Sequence, residues 1–362
     1  MQTGGRAGRS FIIAGEGERR SASHDATVDA VLIRLSAAQI PLVLGAMRLV
    51  ASAGGAERLS EADRNALVAF DRFILRRSGA LDVESLPATT AAALGAAVPG
   101  APERDHVVQF LVVMALVDGT VDPAKIRVVD AFAQALGVRE DSVRQLAELG
   151  RGHLAWVRAD VARQNLRSVT GDDIREPIDV WVVPYRNAPD PALAARYRAL
   201  GTLHEGTLGR AFFEFYRDNG FAFAGEPAGL NQRFATPHDS THILSGYDTT
   251  PQGELLVSTF TAGMHPKEPM SGHILPVILS WHLGLEMTKL AGEVKGQLDP
   301  VKFWSAWERG GEVAVDVFDD GWSFWDATRA PLAALRERYR VPPLDPKYAA
   351  GGQVPPWYRP VA

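Results

Sequence analysis

Two histidines and two carboxylates in the second half of the chain have types and spacing that suit a divalent metal ion. They are His238, Asp239 and His242, followed by Glu254 after eleven intervening residues. On a helix that turns by about 100° per residue, the first three fall within one third of the circumference. Imidazole nitrogens and carboxylate oxygens bind divalent zinc, manganese, iron and cobalt. We therefore predict a metal site formed by these four residues.

The spacing leaves the purpose of such a site open. Four protein ligands close a structural zinc site, whereas a carboxylate that stays outside the coordination leaves a position for water or substrate. The pattern is not the His-Glu-x-x-His of zinc peptidases, because Asp239 directly follows the first histidine. It also differs from hydrolases that pair a His-Asp dipeptide with distant ligands, because His242 follows Asp239 by only three residues.

Two helices have to position these side chains. Residues 234–237 are typical of a helix entry, with Pro237 compatible with the first turn. Residues 246–251 predict the end of that helix, and a second helix that starts at or just after Pro251 and carries Glu254. The break folds the chain back, so we expect Glu254 to face the two histidines.

The amino-acid composition limits which metal ligands and which binding partners are expected. The chain has no cysteine, which excludes disulfides, thiolate zinc sites and cysteine nucleophiles, so any metal ligands are nitrogen or oxygen atoms. A net charge of −5 gives no reason to expect a nucleic-acid partner. No apolar run reaches the roughly 18–20 residues that span a bilayer. We therefore expect a cytoplasmic protein.

The apolar periodicity is helical almost throughout and predicts an all-α protein with two helical domains. A length of 362 residues agrees with two domains. The linker between them holds several prolines and a β-like run at residues 178–183, which exclude a long helix there. The predicted parts are a disordered lead-in 1–27, a helical domain 28–169, the linker 170–188, a second helical domain 189–344 and a proline-rich tail 345–362 that is extended, packed on a neighbour or disordered.

The second domain resembles the coenzyme Q (ubiquinone) biosynthesis protein 4 family, over about residues 189–344. The family signature is His-Asp-x-x-His, eleven residues and Glu, which matches the chain from His238 to Glu254. Residues 206–210 are similar to the Gly-[Ser/Thr]-Leu-Gly-Arg stretch of the family, and Gly253 precedes Glu254 as in its Gly-Glu pair. Usual members of the family lack a long helical domain before this region.

The resemblance implies a function in ubiquinone biosynthesis. Family members bind a polyprenylated head-group precursor, and their associated activity is the oxidative removal of the C1 carboxyl group of a polyprenyl hydroxybenzoate with hydroxylation at that carbon. By this likeness His238, Asp239, His242 and Glu254 hold the metal beside the head group. Arg210 would pair with a substrate carboxylate or isoprenoid phosphate, the alternative being a solvated or helix-capping arginine. The implied partners are other quinone-biosynthesis proteins, the inner face of the membrane and a second copy of the chain.

Three functions remain in competition. The first is a metal-dependent enzyme, the second a non-catalytic scaffold that binds an isoprenoid lipid, and the third a metal-dependent hydrolase. The segment from Ile274 to Leu283 is apolar nearly all round, which is typical either of a lipid groove or of ordinary core.

The first domain resembles the tellurite-resistance TerB-like domain, in which a helix–acidic loop–helix unit occurs twice. Asp118-Gly119 and Asp122 fit its acidic turn, while Lys125 lies where the family usually has a glutamate. The resemblance implies a docking or membrane-stress function, and an ordinary helical bundle is the equal alternative.

Overall fold

A computed structural model describes residues 32–170, 189–285, 287 and 294–358 of the chain. Within these residues the regular structure is helical and no β-strand occurs beyond two isolated bridges, which confirms the all-α prediction. The α-helices are α1 Gln39–Ala51, α2 Glu61–Phe73, α3 Ala91–Ala97, α4 Ala101–Met114, α5 Pro123–Leu136, α6 Asp141–Gly150, α7 Leu154–Thr170, α8 Pro191–Ala199, α9 Leu208–Asn219, α10 Gln232–Ser245, α11 Pro251–Met264, α12 Pro300–Gly311, α13 Phe324–Ala327 and α14 Leu332–Arg338. The predicted lead-in and the β-like run at 178–183 lie outside the described residues.

Helix α12 joins the two halves of the chain. It packs against α11 on one side and α2 on the other. The approach to α11 needs glycine, because a Cβ on Gly310 would lie 2.0 Å from the carbonyl oxygen of Phe260. Towards α2, the ring of Trp304 meets Phe70 edge-on with centroids 5.1 Å apart. The buried apolar residues of both halves form one continuous cluster. The division into two domains at 170–188 stays a prediction.

The segment at residues 269–282 differs from a regular helix. It contains a π-helical turn Pro269–Ile274, a short α-helical stretch Leu275–Val277 and a second π-helical turn Ile278–His282, and we call it the π-helical segment. Pro276 has no N–H to donate to the carbonyl of Gly272 in an α-helical pattern. The side-chain amide of Asn165 donates to that carbonyl instead, at 2.6 Å.

The apolar side chains of the π-helical segment lie inside the protein. Ile274 and Ile278 are fully buried and Leu279 is 1% exposed. This packing agrees with the alternative of ordinary core, and lipid binding by this segment stays a prediction. No helix of the described part of the chain is both long and apolar enough to cross a membrane.

The proline-rich tail packs on the rest of the chain as far as residue 358. Tyr348 meets Phe73 of α2 edge-on at 5.3 Å, and Trp357 meets Phe215 of α9 at 5.5 Å. The hydroxyl of Tyr358 accepts the backbone N–H of Leu344 at 3.0 Å. The tail therefore runs from the first half to the neighbourhood of the predicted metal site.

Candidate metal centre

Helix α10 carries three of the four predicted ligands. It begins after Asn231, whose side-chain oxygen accepts the N–H of Arg233 at 2.9 Å. The prediction that Pro237 lies in the first turn is wrong, because Pro237 lies in the second turn, inside the helix. The helix ends as predicted at Gly246, which has a left-handed φ of +86°. His238, Asp239 and His242 consequently share one continuous helix.

Helix α11 brings the fourth predicted ligand to the same place. The side-chain oxygen of Thr250 accepts the N–H of Gly253 at 3.1 Å, and Pro251 occupies the first turn. Glu254 lies in that first turn, where the helix dipole favours a negative charge. The break between the two helices turns the chain back, as the sequence predicted.

The donor atoms of the two helices lie close together. His238 Nε2 lies 3.2 Å from His242 Nε2, while Glu254 places its Oε2 3.3 Å from His238 Nε2 and its Oε1 3.4 Å from His242 Nε2. Tetrahedral bonds of about 2.0–2.1 Å place neighbouring ligand atoms roughly 3.3–3.4 Å apart. Donor atoms with this spacing fit one zinc-sized ion without a large movement.

The tautomer of His242 suits metal binding. Its Nδ1 lies 2.9 Å from the backbone carbonyl of Tyr247, which can only accept a hydrogen bond, so Nδ1 carries the proton and donates. The Nε2 lone pair is then free to face His238 and Glu254. Phe215 stacks on the His242 ring at a centroid distance of 5.5 Å and restricts its orientation. A second hydrogen bond of this kind is characteristic of metal-binding histidines.

The negative charge of Glu254 also favours a positive ion at the candidate metal centre. Burial opposes ionisation of Glu254, but the two imidazoles outweigh it and hold the pKa of Glu254 well below its usual range. Burial likewise opposes the charged form of His242, yet Glu254 and Asp239 raise its pKa above the ordinary value. Without a metal ion, a proton on His242 supplies the positive charge that this carboxylate stabilises.

Asp239 is buried and is held by a hydrogen bond from another helix. It is 6% exposed, and one of its oxygens accepts a hydrogen bond from the hydroxyl of Tyr216 at 2.5 Å. Burial raises the pKa of Asp239, while the two histidines and Tyr216 oppose the rise. Ligand atoms of His238, Asp239 and His242 all lie within 4.8 Å of one another, so these three residues form a group that could hold a metal ion.

Two buried arginines hold the carboxyl end of α10. Arg309 donates to the carbonyl of Ser245 at 2.9 Å. Arg336 donates to the carbonyls of Ile243 and Leu244 at 2.7 and 3.1 Å. These carbonyls have no partner within the helix, and cations favour this end of the helix dipole. Both arginines thereby fix the helix that carries the candidate ligands.

Sequence reasoning did not find the groups that support the ligands, namely Tyr216, the Tyr247 carbonyl, Arg309 and Arg336. Tyr216 follows the stretch at residues 206–210 that resembles the family, which is the only signal that pointed to its region. The two arginines come from α12 and α14 and carry no spacing pattern relative to α10. Their contacts depend on packing alone.

Arg210 makes its contacts away from the four residues. Its Nε donates to Glu214 at 2.7 Å, one turn later in α9, and its Nη1 donates to the carbonyl of Gly201. The side chain is 24% exposed. Its predicted function in binding a substrate carboxylate or phosphate stays a prediction.

A cavity of about 460 Å³ opens beside the first two turns of α10. Thr236 and Pro237, which directly precede His238, form part of its wall. Its other walls include the aromatic residues Tyr197, Phe318, Trp322, Phe324 and Trp325. The charged residues at the cavity are Arg233, Asp319 and Asp320. None of the four candidate ligands is part of this lining.

Comparison with known proteins gives little further help. No family model matches the chain, and no curated protein matches it. A crystal structure from Nostoc punctiforme, provisionally described as a ubiquinone biosynthesis protein, is similar at 17% identity and covers 68% of this chain and 100% of its own. The TM-score is 0.28, so this likeness carries no argument about fold or function.

Proposed function

We propose that the chain is a divalent-metal protein of ubiquinone biosynthesis, which binds a polyprenylated head-group precursor beside His238, His242 and Glu254. The observation that carries the metal part is the spacing of 3.2–3.4 Å between the two imidazole Nε2 atoms and the two carboxylate oxygens of Glu254, together with the proton on His242 Nδ1. The quinone part rests on the sequence pattern from His238 to Glu254. The proposed reaction is oxidative C1 decarboxylation and hydroxylation of a polyprenyl hydroxybenzoate.

The side chains of the proposed centre differ in exposure and therefore in function. His238 is 18% exposed and Glu254 is 20% exposed, whereas His242 is 1% exposed, so a ligand approaches from the side of the first two. Bound there, a divalent ion supplies Lewis-acid chemistry that stabilises negative charge on the head-group oxygens. Asp239 stays behind the histidines, where Tyr216 holds it, and adds negative charge to the site.

The overall change replaces a ring carboxyl group by a hydroxyl group and removes two electrons from the substrate. With molecular oxygen as the two-electron oxidant, an aromatic acid, water and oxygen give a phenol, carbon dioxide and hydrogen peroxide, which balances atoms and charge. The cavity with five aromatic side chains beside α10 is the proposed place of the head-group ring; its lining includes Thr236 and Pro237 but none of the four candidate ligands.

The test compares metal content and quinone content in matched variants. We expect about one divalent ion per chain in the purified full-length protein, and its loss in His242→Ala. His204→Ala is the control, because His204 is exposed and lies outside the cluster. Unchanged metal content in His242→Ala, measured by elemental mass spectrometry, would overturn the metal proposal.

A second measurement on the same samples separates the enzyme from the scaffold and the hydrolase. In the producing organism, His242→Ala should abolish quinone synthesis while the purified variant keeps a cooperative thermal transition. Loss of that transition instead would make the metal structural and favour the scaffold. Native mass spectrometry should detect an isoprenoid lipid with the wild-type protein, and a preparation free of lipid would favour a hydrolase.

A further inference from the structure

The end of the proline-rich tail packs on the carboxyl end of α10. Tyr358 is 3% exposed, and a Cβ on Gly246 would lie 2.6 Å from its ring, so the ring rests directly on the backbone of the helix end. The guanidinium of Arg336 lies 4.1 Å from the centroid of the same ring, which is a cation–π contact. Because Arg336 also holds the last carbonyls of α10, Tyr358 packs on both the helix end and the group that fixes it.

Trp357 supports the ring of a candidate metal ligand through one intermediate side chain. It meets Phe215 edge-on, with ring centroids 5.5 Å apart and an angle of 89° between the rings. Phe215 in turn stacks on His242, with centroids 5.5 Å apart. Edge-on aromatic pairs are favourable beyond the area that they bury. Trp357 therefore holds the ring that restricts the orientation of His242.

Tyr358 supports the second group that orients His242. Tyr247, whose carbonyl accepts the proton of His242 Nδ1 at 2.9 Å, directly follows Gly246. The packing of Tyr358 on Gly246 restricts the turn that presents this carbonyl. Two neighbouring residues of the tail thus act on both supports of one imidazole. A ligand that is already held in its binding orientation loses less conformational entropy when the metal ion binds.

The tail is attached at two places, with an exposed stretch between them. The first attachment includes the contact of Tyr348 with Phe73 of α2. Residues 351–353 are exposed, and a Cβ added at either of their two glycines would meet no other atom within 4 Å. The second attachment consists of Trp357 and Tyr358. Because the stretch between the attachments is not packed, the second can open while the first stays closed.

We propose that residues 354–358, which we call the strap, open and close over the end of α10, and that the closed strap strengthens metal binding by His242. This inference rests on the metal centre of the proposed function. Thermodynamic linkage makes the effect reciprocal, because the factor by which the closed strap raises metal affinity is also the factor by which the metal ion favours the closed strap. The strap thereby regulates how firmly the centre holds its ion.

The first test measures the zinc affinity of full-length variants by competition with a chromogenic chelator. Trp357→Ala should bind zinc about fivefold more weakly, the size of one edge-on ring pair. Trp357→Phe should keep most of the affinity, since a smaller ring can still meet Phe215. Tyr348→Ala is the control, because it removes an aromatic ring of the first attachment and should leave zinc affinity unchanged. Equal affinities of Trp357→Ala and the wild type would overturn the inference.

Thermal unfolding of the metal-free proteins distinguishes a positioning effect from a general loss of stability. Trp357→Ala and Tyr348→Ala each lose a ring contact, so both should unfold at a lower temperature than the wild type. Only Trp357→Ala should also lose zinc affinity. If both variants lose zinc affinity to the same extent, the tail acts through overall stability, and the inference is overturned.

Hydrogen exchange of the wild type tests the reciprocal effect without any substitution. The N–H of Tyr358 donates to the carbonyl of Pro355 at 2.9 Å within the strap, so its exchange reports strap opening. Zinc should slow exchange in the strap by about the same fivefold and leave residues 345–350 unchanged. Exchange that is equal with and without bound zinc would overturn this inference alone. A wild type that binds no zinc would contradict the proposed function and overturn this inference with it.

Discussion

Both halves of the chain bury acidic side chains, and they balance the charge in different ways. In the first half the ammonium group of Lys125 lies 2.6 Å from Asp118 and 3.9 Å from Asp63. Lys125 is 1% exposed, so the chain itself supplies a fixed cation. Each aspartate also accepts bonds within its own loop, Asp63 from Ser60 and Asp118 from Thr120. We call Lys125, Asp63 and Asp118 the lysine cluster.

The second half surrounds its carboxylates with imidazoles. His238 and His242 lie within 3.4 Å of Glu254, and the same two rings lower the pKa of Asp239 against the effect of burial. An imidazole binds either a proton or a metal ion, whereas an ammonium group cannot coordinate a metal. The positive charge in the lysine cluster is therefore a permanent part of the chain, whereas in the candidate metal centre it is a proton or a metal ion that can exchange. The TerB-like resemblance of the first half stays a prediction.

The largest expected effect comes from removing the fixed cation. Lys125→Met leaves the buried Asp63 and the partly exposed Asp118 without the positive charge between them. Loss of one partner of a buried ion pair costs about 3–5 kcal/mol in free energy of unfolding. Chemical denaturation measures the change, with Lys267→Met as control, because Lys267 is exposed and should shift stability by at most about 0.5 kcal/mol. Equal stability of the two variants would contradict the importance of Lys125.

Removal of the metal ion should lower stability through the candidate metal centre and leave the lysine cluster unchanged. A chelator should lower the unfolding temperature of the wild type, since a ligand at 100 times its Kd stabilises the native state by about 2.7 kcal/mol. His242→Ala should unfold at the same temperature with and without chelator, while Lys125→Met should keep the full difference. If Lys125→Met also loses the response to chelator, the two clusters are not independent.

A smaller effect, on metal affinity, is expected from loss of the hydrogen bond between Tyr216 and Asp239. Tyr216→Phe removes the hydroxyl that donates to Asp239 at 2.5 Å and leaves the ring in place. Loss of such a supporting bond commonly weakens metal binding by about tenfold or more. Competition with a chromogenic zinc chelator measures the affinity. Tyr339→Phe, in the same half but away from Asp239, is the control, and equal affinities of the two variants would make the bond to Asp239 unimportant for the metal.

The last prediction concerns stability against pH and the acid Glu140, which forms no ion pair with the described part of the chain. Burial raises the pKa of Glu140 to about 7, although hydrogen bonds from Gln109 and Ser142 oppose the rise. The folded protein therefore binds this proton more tightly than the unfolded chain, whose glutamate titrates near 4.3. One pKa unit corresponds to about 1.4 kcal/mol, so stability should fall as pH rises from about 4.3 to about 7, by up to about 3.7 kcal/mol. Glu140→Gln should flatten this part of the stability curve, and an unchanged curve would exclude Glu140 as its cause.

Local patterns were enough to predict the candidate ligands. The spacing of His238 and His242 places them on one helix face, and the break after Gly246 returns the chain so that Glu254 reaches them. These features depend on helix geometry and on turn residues, which act over a few positions. The position of Pro237 was misjudged, because Asn231 caps the helix earlier and the proline is tolerated inside it.

The sequence could not indicate how the π-helical segment folds. Its apolar residues are typical of a buried helix, whereas residues 269–282 combine two π-helical turns with a short α-helical stretch. The missing donor of Pro276 is visible in the sequence, but its replacement by Asn165 comes from a helix 107 residues away.

By itself the sequence determined the all-α class, the nitrogen and oxygen chemistry of any metal site, and the shared face of His238, Asp239 and His242. Only the tertiary structure decided that the Glu254 oxygens lie 3.3–3.4 Å from the two histidines, that the Tyr247 carbonyl sets the proton of His242, and that Lys125 lies between two aspartates. The reason is the range of the forces involved. A helix is fixed by hydrogen bonds between residues four apart, whereas the distances between helices follow from how their side chains pack.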